Sequence, residues 1–312
     1  MSRVTVIGAG NVGTIAGMSL AASGRFDEVV LVDNAGGRAA GIALDITHSG
    51  PLLGFSTRVR GERTVAEAGA SEYVIITAGR ARTPGMGRAD LVGVNAAIVG
   101  DLAAQVAQVS PGAVIVVVTN PVDEMTQHVQ AVTGFPTERV IGMAGLLDSA
   151  RFRALTALEA KVTNEEVSAI ALGSHGDEMV LPLSQATIDG RPILDVLDAD
   201  TVDGLVDRAR NSGGEVVGLL GNGSAFVAPG TSAARMVLDM AGGFGRSAVA
   251  GETISATVAP SGQYGIDGGY VGLPVRLGPT GVAEIVELDL SDDELTQLRS
   301  AAAAIAERVS AM

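Results

Sequence analysis

The chain has no cysteine. Disulfides, thiolate metal sites and cysteine nucleophiles are therefore excluded. Histidine is nearly as scarce: His48, His128 and His175 are the only three, too few for a polyhistidine zinc site. Lysine is reduced to Lys161, so almost all positive charge sits on arginine, a bias that a GC-rich genome would also produce. Long apolar runs are missing too. The longest, Ala113 to Val118, is strand-sized and far short of the roughly 20 residues that span a bilayer. Arg3 to Ile7 already reads as strand, which leaves no room for a cleavable leader and sets the expectation of a cytoplasmic protein. Positive charge is in deficit, with a net charge of −14. Such a surface repels nucleic acid and anionic membranes, and neither is an expected partner. An anionic substrate would have to be met by local arginines, because the overall field opposes it beyond a Debye length of about 8 Å.

What is present is enough for two domains of ordinary size: 312 residues, 47% of them hydrophobic. In the first half, short β-branched apolar runs alternate with helical stretches. Val4–Ile7, Glu28–Val32, Tyr73–Thr77, Val114–Thr119 and Val140–Gly142 read as parallel strands buried on both faces. Val12–Ser23, Gly36–Thr47, Arg88–Val109 and Asp123–Thr133 read as the helices between them. This is the pattern of a doubly wound parallel α/β sheet. The second half is mixed α+β. A helix over Ser149–Ala160 leads to strands over Val167–Leu172 and Met179–Ile188, the latter closed by an Asp189-Gly190 turn. Helices over Asp200–Leu220 and Thr231–Ala241 precede alternating strands over Ala248–Ala259 and Tyr270–Leu277. Ser291 and Glu294 have capping-box spacing and open a last helix to about Val309. Glycines near Met143–Gly145 place the domain boundary there, giving 1–143 and 144–312.

Gly8-Ala9-Gly10-Asn11-Val12-Gly13 follows the first strand and opens the first helix. Gly8 suits the tight turn, Gly10 lets a pyrophosphate approach the backbone, and Gly13 lets the helix pack close to the strand. The helix N-terminus offers free N–H groups to phosphate. A lone GxGxxG is a weak signal. Here Asp33 ends the second strand, 20 positions past Gly13, which completes the Rossmann dinucleotide fingerprint. A carboxylate there accepts both ribose hydroxyls and repels a 2′-phosphate, so the expected cofactor is NAD rather than NADP.

Four further segments concentrate chemistry. Thr77 to Arg88 follows a strand at the carboxyl edge of the sheet and carries Gly79, Gly85, Gly87, Arg80, Arg82 and Arg88, the composition of a charged lid. Thr119-Asn120-Pro121-Val122-Asp123 lies at another strand end. Leu147-Asp148-Ser149-Ala150-Arg151 starts a helix, and the three-residue spacing puts Asp148 and Arg151 on one face. Gly173-Ser174-His175-Gly176-Asp177 follows a strand.

With these motifs in this order, the chain resembles the malate/lactate dehydrogenase family along its whole length. It looks most like the lactate-dehydrogenase-like, NAD-dependent malate dehydrogenases. The resemblance implies that His175 is the acid/base and Asp148 its carboxylate partner, which should raise the histidine pKa. It implies that Arg151 grips the substrate's C1 carboxylate with its guanidinium fork. Arg88 would polarise the substrate carbonyl, and Asn120 would orient substrate and cofactor. The cofactor contacts would take in Gly8, Gly10, Asn11, Val12, Gly13, Asp33, Thr77, Ala78, Gly79, Asn95, Val118 and Asn120. His48 and His128 lack such surroundings and read as structural or surface residues; Arg80 reads as a solvated charge.

Arg82 bears on the substrate. Family members that use oxaloacetate carry arginine at this lid position, and those that use pyruvate typically carry glutamine. A second substrate carboxylate would pair with Arg82, whereas pyruvate would leave it buried without a partner. The expectation is therefore reversible conversion of L-malate to oxaloacetate, a step of the tricarboxylic acid cycle. The alternatives are an L-lactate or other 2-hydroxyacid dehydrogenase, or an NAD-binding protein without turnover. An NAD-dependent glycosidase would want metal ligands that are not available. A homo-oligomer is expected, a tetramer ahead of a dimer. Gly223 to Pro229 falls where family members line the substrate pocket, with Ala225 as the candidate lining residue.

Overall fold

The computed structural model describes residues 2–80, 88–176, 178–221, 223–242 and 252–312, without the side chains of 88–90. Arg82 and Asp177, and the side chain of Arg88, lie outside the described residues.

The first half runs β1 (Arg3–Ile7), α1 (Asn11–Ala22), β2 (Glu28–Val32), α2 (Arg38–Leu53), β3 (Arg58–Glu62), α3 (Val65–Ala68), β4 (Tyr73–Ile76), α4 (Arg88–Val109), β5 (Val114–Val117), α5 (Val122–Thr133) and β6 (Val140–Gly142). The strands pair in parallel in the order β3-β2-β1-β4-β5-β6. The chain therefore builds outward from β1 in one direction and then from β4 in the other. The switch between them opens a crevice at the carboxyl edge, where such sheets bind ligands. Successive side chains of a strand point to opposite faces. Val4, Val6, Val29, Leu31, Ile75, Val114 and Val116 join the apolar core on one face. Ile7, Val30, Val32, Val74, Ile76, Ile115 and Val117 join the core on the other. This two-sided burial is why the strands read as continuous apolar runs.

Two differences from the expected pattern have local causes. β3 escapes an apolar criterion because it is an edge strand, RVRGE, partnered on one side by β2. A side chain at Gly61 would strike the backbone of Ala39 at 2.1 Å, so glycine there lets α2 lie against β3. Helix α2 also runs past the expected Thr47 to Leu53, with Pro51 in its last turn, and ends at Gly54 in the left-handed conformation (φ 76°). Leu91–Val109 of α4 has the length and a mean hydropathy of 1.3 suited to a membrane span. On its sheet-facing side, Val99, Ala103 and Val106 are fully buried.

The second half contains α6 (Gly145–Ala160), β7 (Val167–Ser168), β8 (Leu172–Gly173), β9 (Met179–Val180), β10 (Thr187–Ile188), β11 (Arg191–Pro192), α7 (Ala199–Leu220), α8 (Val227–Met240), β12 (Thr253–Val258), β13 (Val271–Gly278), β14 (Gly281–Ile285) and α9 (Asp292–Ser310). The expected strand Val167–Leu172 is divided between two sheets: β7 pairs with β10, and β8 pairs with β13. The expected strand Met179–Ile188 is interrupted by Pro182, which has no N–H for a ladder, and by a turn at Leu183–Gln185. Asp189-Gly190 makes the anticipated turn, with φ of 49° and 72°, and joins β10 to β11. Helix α8 begins at Val227, four residues before the expected Thr231, with Pro229 tolerated in its first turn.

The two halves share one sheet, because β12 pairs antiparallel with β6 through Thr257 and Gly142. Helix α8 lies directly on α1: a side chain at Gly230 would meet Ile15 Cβ and the Val12 carbonyl, each at 2.7 Å. The small residues of α1 thus pack within the chain, Gly17 leaving room for Leu31 of the sheet and Ile15 facing Gly230. Helix α9 is opened by the anticipated capping box between Ser291 and Glu294.

Candidate active site

Two cavities lie at the carboxyl edge of the sheet. One, of about 750 Å³, is lined by Gly8, Gly10, Asp33, Thr77, Ala78 and Gly79. The other, of about 390 Å³, is lined by Val12, Val118, Asn120, Asp148, Arg151 and His175, among others. Gly8 and Gly10 border the first and Val12 the second, so the turn between β1 and α1 separates them.

The first cavity has the shape and donors of a dinucleotide groove. Gly8 adopts φ 105°, and a Cβ there would lie 2.6 Å from Thr77 Oγ1 and 2.7 Å from the Ala78 nitrogen. At Gly13 a Cβ would overlap the Gly8 carbonyl at 1.8 Å. At Gly10 there is nothing within 4 Å, which leaves the backbone open to an approaching phosphate. The Thr77 hydroxyl donates to the Gly8 carbonyl at 2.9 Å and braces the loop. Asn11, at the start of α1, is exposed. Asp33 accepts one hydrogen bond on each oxygen, from Ala9 N and Ala35 N, both at 2.9 Å. An ionised carboxylate has about four acceptor positions. Capacity therefore remains for a pair of ribose hydroxyls, and the residues present fit NAD.

Arg38 and Arg63 line the same groove. Asp33 is therefore the group that opposes a 2′-phosphate, and Asp33→Asn should alter cofactor choice. The loss of charge-assisted hydrogen bonds, about 1.5–3 kcal/mol, should weaken NADH roughly 10- to 100-fold while NADPH gains. Steady-state kcat/KM with the two cofactors measures this; an unchanged ratio would remove Asp33 from the ribose site.

Asn95, expected among the cofactor contacts, hydrogen-bonds within the protein beside Gly79. It is buried. Its Oδ1 accepts from Arg80 N at 2.7 Å, and its Nδ2 donates to the carbonyls of Asn120 at 2.7 Å and Arg80 at 3.2 Å. With both amide hydrogens in use, it braces the residues that follow β4 and β5.

In the second cavity, helix α6 supplies the charged groups. It starts close against β12, because a Cβ at Gly145 would lie 1.9 Å from Ser255 Oγ. The Ser149 hydroxyl, donating to Gly145 O at 2.6 Å and accepting from Ala171 N at 2.8 Å, ties this turn to the strand region beside it. Asp148 is thereby held at the helix start, 4% exposed. His175 Nδ1 lies 2.8 Å from Asp148 Oδ2, and Arg151 Nη1 donates to Asp148 Oδ1 at 3.1 Å. The carboxylate fixes the ring so that its other nitrogen is the one left for chemistry. Burial pushes the imidazole toward its neutral form. The charge of Asp148, its hydrogen bond and the charge of Asp123 more than offset this, against a smaller opposing effect of Arg151. The His175 pKa therefore stands above its ordinary value of 6.5.

His175, Asp148, Arg151, Asn120, Val12 and Val118 thus border one cavity, with Ala225 on its wall. Arg88 opens α4, and nothing further is described of it. Several cavity residues carry no obvious sequence signal. Arg210, Asn211 and Gly213 come from the middle of α7. The one hint was the Gly213-Gly214 pair, which is costly inside a helix unless something needs the space. A Cβ at Gly213 would come to 3.7 Å from Arg151 Nη2. Asp123 lies in a motif already noted, but its contact with the His175 backbone depends on tertiary proximity.

A dinucleotide groove that opens beside a carboxylate-paired histidine and an arginine defines a nucleotide-dependent oxidoreductase on a Rossmann sheet. Family models describe residues 2–142 as a lactate/malate dehydrogenase NAD binding domain and residues 146–311 as the alpha/beta C-terminal domain of the same family. The chain belongs to the lactate/malate dehydrogenase family. It is 44% identical over 314 residues to a malate dehydrogenase of Thermomicrobium roseum, covering 99% of this chain and 98% of that one. It superimposes on a malate dehydrogenase structure from Salinibacter ruber with TM-score 0.92 and 39% identity, over 99% and 96% of the two chains. A Cryptosporidium parvum lactate dehydrogenase with lactic acid and nicotinamide adenine dinucleotide bound also gives TM-score 0.92, at 33% identity, over 99% and 98%. The shape of the fold is therefore shared by enzymes for both substrates.

Proposed function

We infer that the chain is an NAD-dependent malate dehydrogenase, interconverting L-malate and oxaloacetate. The observation that carries the chemistry is the His175–Asp148 pair, 2.8 Å apart on the wall of a cavity that also holds Arg151. The malate relatives at 44% identity support the substrate, since overall shape does not separate it from lactate.

When bound, NAD supplies the two-electron acceptor for the hydrogen on the substrate carbinol carbon. His175 receives the hydroxyl proton on Nε2 during oxidation and returns it during reduction, because Nδ1 is held by Asp148. Asp148 stabilises the imidazolium that results. Arg151 holds the C1 carboxylate, and Asn120 at the end of β5 orients the substrate. Arg88 would polarise the carbonyl and Arg82 would pair with the second carboxylate.

The substrate test compares kcat/KM for oxaloacetate and pyruvate. Oxaloacetate should lead by at least about 10²-fold, because pyruvate would leave a charge of the site unpaired. Arg82→Gln should narrow that gap. Faster turnover of pyruvate would overturn malate as substrate, and an unchanged ratio in the variant would place Arg82 outside the site. Binding of NADH with no oxidation on adding oxaloacetate would favour an NAD-binding protein without turnover.

The same reading divides the chain into a dinucleotide domain, 1–143, and a substrate domain, 144–312. It assigns the enzyme to the cytoplasm and the tricarboxylic acid cycle, as a homo-oligomer with a tetramer favoured. The exposure of Leu52 (86%) and Leu219 (82%) supports association between copies.

A further inference from the structure

His175 is held from two sides. Asp148 engages its ring, and a second carboxylate, Asp123 of α5, engages its backbone. Asp123 is 2% exposed. Its Oδ2 accepts from His175 N at 3.0 Å and from the Ser174 hydroxyl at 3.1 Å, and its Oδ1 accepts from the Thr257 hydroxyl at 2.7 Å. Burial pushes the Asp123 pKa above its ordinary value, and the hydrogen bonds from Thr257 and His175 work against that shift by favouring the ionised form. The chain of bonds continues behind Ser174. Arg308 of α9 donates to Ser174 Oγ at 3.0 Å, which leaves the serine's own proton for Asp123. Arg308 is itself held by Glu124 at 2.7 Å and Glu178 at 3.0 Å. The last turns of the C-terminal helix thus connect to the histidine through two side chains.

We propose that Asp123 is a positioning residue for the acid–base step, holding the main chain of His175 so that its ring stays seated on Asp148 with the other nitrogen in the cavity. The proposal rests on the assignment of His175 as the acid/base. It also has an electrostatic side. Charged groups come toward His175 from several elements: Asp148 and Arg151 from α6, Asp123 from α5, and Arg210 of α7 on the same cavity wall. Glu124, Glu178 and Arg308 lie behind Asp123 and Ser174. Asp148 and Asp123 favour the imidazolium and Arg151 opposes it. A carboxylate that only stabilised the fold would change the melting temperature and leave the proton affinity of His175 where it was.

Asp123→Asn keeps the size and one acceptor but removes the charge and sets an NH2 against a donor. The pH limb of kcat/KM for oxaloacetate reduction should move down by about one unit, since one unit corresponds to 1.36 kcal/mol of differential interaction. Displacement of the ring should lower kcat by about 10- to 100-fold. KM for oxaloacetate and the Kd of NADH should stay within about twofold, because Asp123 touches the second cavity only through the backbone of His175 and lines neither cavity itself. NMR titration of the His175 imidazole in the same variant reads proton affinity without turnover and should show the same downward shift. Ser174→Ala, which leaves the charge in place, should move the limb in the same direction by less. A folded Asp123→Asn enzyme with wild-type limb, titration and kcat overturns the proposal. If Asp123→Asn does not fold, Ser174→Ala decides, and a limb at the wild-type pH is the overturning result. A His175→Asn enzyme that keeps its activity would instead overturn the assignment of His175, while the NMR shift in Asp123→Asn would still report on the contact itself.

Discussion

Replacing His175 with asparagine is expected to lower kcat by about 10²- to 10⁴-fold in both directions, the usual contribution of a positioned general acid or base. Asparagine retains a polar contact with Asp148 but cannot exchange a proton near neutral pH. NADH affinity, read by fluorescence, should be nearly unchanged, because His175 borders the substrate cavity and not the groove of Gly8, Gly10 and Asp33. The wild-type pH dependence follows from the direction of the histidine shift. Reduction needs the imidazolium, so its rate should hold at low pH and fall as pH rises through a pKa above 6.5. Oxidation needs the neutral ring and should rise through the same pKa. Asp148→Asn removes the first of the two charges that favour the imidazolium and should move both limbs to lower pH. A His175→Asn enzyme within tenfold of wild type, or a reduction rate that climbs with pH, would remove His175 from the chemical step.

Arg151→Lys should have the next largest effect. The guanidinium is 16% exposed and already donates one hydrogen bond to Asp148, at 3.1 Å. Its remaining donors form a fork that matches a carboxylate, whereas an ammonium is a point charge. Weakening a buried, hydrogen-bonded charge pair costs about 2–5 kcal/mol. The expected fall in kcat/KM for oxaloacetate is on the order of 10²- to 10³-fold, with most of it in KM if the grip is equal in ground and transition states. Lysine keeps the positive charge near His175, so the pH limb should stay in place. That separates loss of substrate binding from a change in the histidine. A normal KM in Arg151→Lys would mean that the carboxylate is held elsewhere.

The dinucleotide unit was legible because each part of it is local. Gly8, Gly10 and Gly13 are required by contacts within one turn, and the clash of a Cβ at Gly13 with the Gly8 carbonyl at 1.8 Å shows how little else would fit. Asp33 ends a strand whose five residues are buried and apolar apart from Glu28, which a periodicity argument detects. The pairing of Asp148 with Arg151 was likewise a matter of helical spacing. β3 was not legible, because an edge strand partnered on one side can carry Arg58 and Arg60 where a central strand carries valine. The apparent strand Val167–Leu172 was misleading for a related reason: an apolar run signals burial, and only packing divides it between two sheets.

His175 illustrates where the two sources part. Its type, its flanking glycine and its family motif are properties of the chain alone, as are the NAD cradle and the arginines Arg82 and Arg88 expected in a lid. The resemblance pairs it with Asp148, 27 positions earlier, but nothing in the chain alone says that Asp123, 52 positions earlier, holds its backbone. Nor does spacing reveal that Asn95 hydrogen-bonds to Arg80 and Asn120, or that Arg210 and Gly213 of α7 line the cavity. The physical reason is range. Turns, caps and helix faces are set by neighbours within a few residues, so sequence alone determines them. Which buried carboxylate reaches the His175 backbone depends on how the sheet carries β5, β6, β12, β13 and β8 in that order, and that was decided only by the tertiary fold.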